Sequence, residues 1–121
     1  AYLTPDQLDV PLTYEALEEL GAGIGHGGVV VFDDSVDLVE QARYAFAFCE
    51  HESCGKCTPC RVGSVRGREA VEGLMSGGVA AAQREDRLAL ISDLCDVMEQ
   101  ASLCQMGSMT PIPVRSALGL K

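Results

Sequence analysis

No stretch of about 18 consecutive apolar residues occurs in this 121-residue chain, so a membrane-spanning helix is not expected. The opening residues, Ala1-Tyr2-Leu3-Thr4-Pro5-Asp6, lack both the basic stretch and the apolar core of a secretory leader. Cysteine is too sparse for a secreted disulfide scaffold: six residues in 121 fall short of the roughly 8–10% typical of that class. These absences predict free thiols in a reducing compartment, the cytoplasm. Positive charge is also scarce, with 9 Lys and Arg against 18 Asp and Glu and a net charge of −9, a balance that argues against nucleic acid as a partner. The length suits one small domain with an appendage, whose marginal core a bound metal would help to hold together.

Three of the cysteines stand at even spacing in Glu52-Ser53-Cys54-Gly55-Lys56-Cys57-Thr58-Pro59-Cys60-Arg61, a C-x2-C-x2-C run. Each two-residue gap lets the backbone curl so that neighbouring sulfurs point to one side. Three sulfurs converging in this way suit three corners of a [4Fe–4S] cube, which needs a fourth thiolate from elsewhere. Cys49 ends the apolar stretch Tyr44 to Cys49, and Cys95 lies within the periodic run Leu88, Ile91, Leu94, Met98, so both read as small core hydrophobes. Cys104 instead follows a helix and enters a loop ahead of Pro111 and Pro113. It is the expected fourth ligand.

The charge distribution agrees with an anionic centre. Cys54 to Arg68 contains Lys56, Arg61, Arg66 and Arg68 and no acid, so this segment is +4 and leaves −13 for the rest of a chain that totals −9. Cations beside a thiolate-held cluster favour it and raise its reduction potential, Lys56 and Arg61 being nearest in sequence. A solvated basic helix face is the alternative reading of the same run.

Along the chain, Thr13 is placed to cap a short helix from Tyr14 to Leu20, stopped by Gly21; the loop Gly23-Ile24-Gly25-His26-Gly27-Gly28 then leads into a predicted strand, Val29 to Phe32. Helix, glycine loop, strand is the reverse of the order a dinucleotide or P-loop fingerprint needs, so these glycines are read as a tight turn and His26 as exposed. Asp33-Asp34-Ser35 is expected to cap a helix carrying Val36, Val39, Ala42, Phe46 and Cys49 on one face and ending near Cys49. Thr58 and Pro59 read as the N-cap and first residue of a second helix that turns Val62, Val65, Leu74 and Met75 inward and stops at Gly77-Gly78, with Cys60 in its first turn. Val79 to Asp86 is expected to be a connector, followed by a third helix from about Arg87 to Ala101 and a short fourth from Val114 to Leu118. The expected fold is mainly α, a four-helix bundle carrying a [4Fe–4S] cluster.

The cysteine motif, with Leu103-Cys104, Pro113-Val114-Arg115-Ser116-Ala117-Leu118, Pro11-Leu12-Thr13-Tyr14-Glu15-Ala16-Leu17 and Gly27-Gly28-Val29-Val30-Val31-Phe32, resembles the C-terminal part of the NADH-binding 51-kDa-type flavoprotein subunits of respiratory complex I. The diaphorase or beta subunits of NAD-dependent formate dehydrogenases and NAD-reducing hydrogenases are relatives, and Met109-Thr110-Pro111-Ile112-Pro113-Val114 looks more like the formate dehydrogenase branch. The resemblance covers essentially the whole chain. It implies that residues 1–33 are the exit of a small β-grasp-like linker domain, left here as a helix–loop–strand remnant, and that residues 34–121 are a helical iron–sulfur domain. It further implies a cluster on Cys54, Cys57, Cys60 and Cys104 that passes single electrons beside an FMN which exchanges hydride with NAD(H). Nothing in these residues resembles the glycine-rich flavin and nucleotide domain of that family. The chain is therefore expected to be part of a larger subunit, with the upstream flavin/NAD domain and other iron–sulfur subunits as partners, in the cytoplasm or peripheral on a membrane complex.

Two other chemistries use the same cysteines. A structural zinc site is permitted by C-x2-C spacing, and His51 could join it, although such sites commonly combine two separated pairs. A thiol–disulfide role for Cys54 and Cys57 would want a βαβ setting that the helical reading lacks. His51 could hydrogen-bond a cluster sulfur or simply close the helix before the motif.

Overall fold

A computed structural model describes residues 1–78 and 80–120. After a single 3-10 turn, Pro5–Gln7, the first helix, α1, spans Tyr14–Glu19, and the Thr13 side chain accepts the Ala16 N–H at 3.3 Å. The glycine loop is a turn: Gly27 N–H donates to the Ile24 carbonyl at 2.9 Å, and Gly25 and Gly27 take φ of +55° and +79°. The strand expected at Val29 to Phe32 does not form, and the described residues contain no strand. A strand needs a neighbour for its N–H and C=O groups, and this segment has none; Val29, Val30 and Val31 stay largely exposed.

Five further helices follow: α2 (Leu38–Glu52), α3 (Thr58–Met75), α4 (Ala81–Ala101), α5 (Gln105–Ser108) and α6 (Pro111–Leu118). The cap of α2 is Asp37, not the Asp33-Asp34-Ser35 cluster. Its carboxylate accepts Val39 and Glu40 N–H at 2.9 and 3.3 Å, while Asp33 is used locally by Ser35. Helix α2 also runs three residues past Cys49. In α3 the N-cap is Cys57, one residue before the Thr58 expected, and Pro59 falls in the first turn where its missing N–H costs nothing. The expected connector is helical from Ala81 onward, while Val79 lies outside the described residues. Helix α6 starts at Pro111 rather than Val114, because Pro111 and Pro113 occupy first-turn positions whose N–H groups have no helical acceptor.

Helices α2, α3, α4 and α6 share one core, in which α2 packs on α3 and α6, and α4 on α3 and α6. Phe46, Ile91, Met98, Val71 and Val114 are fully buried in it. Of the residues expected to face inward on α3, Leu74 is buried, whereas Val62 and Met75 are 46% and 43% exposed, and much of the buried face is made of small residues, Cys60, Gly63, Ser64, Gly67 and Ala70. These small side chains let the neighbouring helices come close. A Cβ on Gly63 would meet Met98 Cγ at 2.7 Å, and one on Gly67 would overlap the Phe46 ring.

Ion pairs tie the same helices at their margins. Arg68 of α3 reaches Glu50 of α2 at 2.6 Å and Glu72 at 2.8 Å, and Arg115 of α6 reaches Asp96 and Glu99 of α4. Partly exposed pairs contribute about 0–1 kcal/mol each, less than the roughly 1.5–3 kcal/mol for burying one large apolar side chain, so packing dominates.

Two consequences are measurable. Gly67→Ala gains about 1 kcal/mol of helix propensity but must displace the Phe46 ring at about 1–3 kcal/mol, so a lowered melting temperature is expected; an unchanged or higher one means that α2 and α3 are not this close. Burial in α4 pushes the Cys95 thiol from 9.0 up to about 11, Arg115 opposing the shift. The unfolded chain therefore loses this proton first, so the stabilisation is full below pH about 9 and lost as pH rises to about 11, on the order of 3 kcal/mol in all. Denaturant midpoints across that range should fall less steeply for Cys95→Ala than for the wild type.

Candidate metal centre

Helix α2 hands the chain to α3 through residues 53–57. Ser53 closes α2 in extended backbone, its N–H donating to the Cys49 carbonyl at 2.9 Å, and Gly55 turns the chain with φ +73°. That left-handed conformation is strained for residues with a Cβ, which accounts for glycine between Cys54 and Cys57. Cys54 is exposed, Cys57 is half-buried, and Cys60 is buried in the first turn of α3. The expected cysteines are thus graded from solvent to core.

The loop bearing Cys104 lies against this connector. The backbone of Leu103, and after it that of Cys60, holds the Cys57 thiol below its ordinary pKa by stabilising the thiolate. Gly107, in the short helix that Cys104 opens, sits so near Cys60 that an added Cβ would lie 2.8 Å from the Cys60 Cβ. Cys104 itself is exposed. Beside Gly107, the buried Ser102 hydroxyl has no hydrogen-bond partner among the described residues. Among those residues no three His, Cys, Asp or Glu side chains are gathered tightly enough for a single metal ion. Cys54, Cys57 and Cys60, on and just after one connector, and Cys104, opening the short helix whose Gly107 meets Cys60, offer four thiols, the number a [4Fe–4S] group would take at one per iron.

Cys49 and Cys95 are both fully buried. Proximity in the fold adds a feature the sequence reading missed: Cys49 Sγ lies 3.6 Å from Cys60 Sγ, and Ser53 Oγ lies 3.2 Å from the same sulfur. Burial pushes the Cys49 thiol up to about 11. Helical spacing was the available signal, since Cys49 and Ser53 are one turn apart. Arg66 is committed to Glu69 and Arg68 to Glu50 and Glu72, whereas Lys56 and Arg61 form no ion pair among the described residues. The basic run is therefore half neutralised, and its unpaired charge lies next to the cysteines. His51 is 85% exposed, with Nδ1 3.0 Å from Glu52 Oε1, and is engaged with that carboxylate.

Residues 40–120 match the family described as the NADH-ubiquinone oxidoreductase-F iron-sulfur binding region. The chain is 35% identical, over 96% of its length, to the HndC component of the NADP-reducing hydrogenase of Solidesulfovibrio fructosivorans, covering 23% of that protein. It is 33% identical over 91% of its length to the F 1 subunit of the NADH-quinone oxidoreductase of Rhizobium meliloti (strain 1021), covering 24% of it. Identity with the F subunit of the NADH-quinone oxidoreductase of Mycobacterium tuberculosis (strain ATCC 25618 / H37Rv) is 36% over 96% of the chain and 25% of the relative. The chain thus spans about a quarter of the length of these relatives.

The burial gradient sets an order of thiol reactivity in the cluster-free chain. Brief iodoacetamide treatment near neutral pH, read by peptide mass spectrometry, should label Cys54, Cys57 and Cys104 before Cys60, Cys49 and Cys95. Early labelling of Cys95 would contradict the packing of α4.

Proposed function

Because this chain belongs to the NADH-ubiquinone oxidoreductase-F iron-sulfur binding region family, we propose that it relays single electrons through a [4Fe–4S] cluster held by Cys54, Cys57, Cys60 and Cys104. What supports this ligand set is the approach of Gly107, in the short helix that Cys104 opens, to Cys60, where an added Cβ would lie 2.8 Å from the Cys60 Cβ. The cluster, when bound, supplies reversible one-electron chemistry. The protein's own residues fix the thiolates and surround them: α3 presents Cys60 from its first turn, Gly55 turns the chain between Cys54 and Cys57, and Lys56 and Arg61 place positive charge beside the ligands. No acid–base chemistry is required at this site.

In this reading residues 34–121 form a helical iron–sulfur domain, with α2, α3, α4 and α6 as its four-helix bundle, and residues 1–33 are the exit segment of a linker domain. The FMN and NAD(H) sites belong to an upstream domain outside this chain, in keeping with the quarter-length coverage of the relatives. Other iron–sulfur subunits of an NADH dehydrogenase, an NAD-dependent formate dehydrogenase or a hydrogenase diaphorase complete the electron path. No helix among the described residues is long and apolar enough to cross a membrane, and a cytoplasmic setting follows from the reduced thiols that the cluster needs.

Anaerobic purification with iron, sulfide and zinc analysis tests the reading. About four iron and four sulfide per chain, with a visible band that bleaches on dithionite, is expected; stoichiometric zinc without a visible band would sink it. Cys104→Ala should lose or degrade the cluster while Cys95→Ala costs only packing, about 1–3 kcal/mol, and exchanged outcomes would move the fourth ligand to Cys95.

A further inference from the structure

Ser53 is engaged on both sides of its hydroxyl. The Gly55 N–H donates to Ser53 Oγ at 3.2 Å, and Cys60 Sγ lies 3.2 Å from the same oxygen. One oxygen lone pair is therefore occupied by Gly55, and the single hydroxyl hydrogen is left to point at sulfur. The other group on Cys60 Sγ is the Cys49 thiol at 3.6 Å, a weaker donor whose one hydrogen also has the Met106 carbonyl at 3.7 Å. Ser53 is thus the better placed donor to Cys60. Its position is not adjustable, because it is the residue that ends α2 and its backbone N–H is held by the Cys49 carbonyl.

We propose that Ser53 is a positioning residue for the Cys60 ligand: its hydroxyl donates an O–H···S hydrogen bond to the thiolate and thereby raises the reduction potential of the bound cluster. This rests on the cluster reading given above. The physical reason is that reduction adds negative charge to the cluster and its sulfurs, and a donor aimed at one sulfur stabilises the reduced form more than the oxidised form. The buried surroundings of Cys60, 4% exposed, leave little water to replace the lost donor. No bond is made or broken; one electron arrives from the reductant and the hydroxyl keeps its proton.

The test is a mediator titration with dithionite, followed by electron paramagnetic resonance, on cluster-loaded wild type, Ser53→Ala and Ser53→Thr. Iron and sulfide are counted first. The midpoint of Ser53→Ala should fall by the equivalent of about tenfold in the reduction equilibrium, ~59 mV for one electron. Ser53→Thr keeps the hydroxyl and should stay near wild type. An unchanged midpoint in Ser53→Ala with full iron overturns the inference alone, as does an equal shift in the Thr variant. A wild type without iron overturns the cluster reading and this inference with it. If Ser53→Ala fails to retain iron, retention by Ser53→Thr supports the hydroxyl contact, and loss in both variants overturns it.

Discussion

The structure depends on how closely α3 can be approached. Its inward face is made of Cys60, Gly63, Ser64, Gly67 and Ala70 before any large side chain appears, and Phe46 and Met98 fill the space those residues leave. Close packing of this kind transmits position: with α2 pressed onto α3 by the Phe46–Gly67 contact, the end of α2 and the start of α3 are fixed relative to each other. Cys49, Ser53 and Cys60 meet as a result, although they belong to two helices and a turn.

The same constraint explains what could and could not be read from the residues. The helices, the turn at the glycine loop, the buried Cys49 and Cys95 and the first-turn place of Cys60 followed from spacing and capping chemistry. The inward face of α3 followed only in part: Leu74 is buried as its periodicity suggested, but Val62 and Met75 are exposed and small residues take their place. The lone strand at Val29 to Phe32 failed for the opposite reason: its local propensity is real, but among the described residues no neighbouring strand takes its hydrogen bonds. Asp37 over Asp33 as the cap of α2 and the early start of α4 are boundary differences of the sort that tertiary packing decides. At the site, the connector was legible as a close run of cysteines, while the approach of Gly107 to Cys60 links residues far apart in the chain and carries no local signal.

Charge followed a similar division. The uninterrupted positive stretch from Lys56 to Arg68 looks uniform in sequence, yet the fold splits it. Arg66 and Arg68 face acids on helix surfaces, and Arg68 bridges α2 to α3; Lys56 and Arg61 are left beside the thiols. One run thus serves two ends, helix registration at its far end and local positive potential at its near end.

The brevity of the α2–α3 connector has its own consequence. Only residues 53–57 separate two helices already held together along their length, so Cys54, Cys57 and Cys60 have few conformations to surrender when a ligand group arrives. The entropy of gathering these three cysteines is settled when the helices pack. Cys104, which follows α4 in the chain, comes near them only through long-range closure.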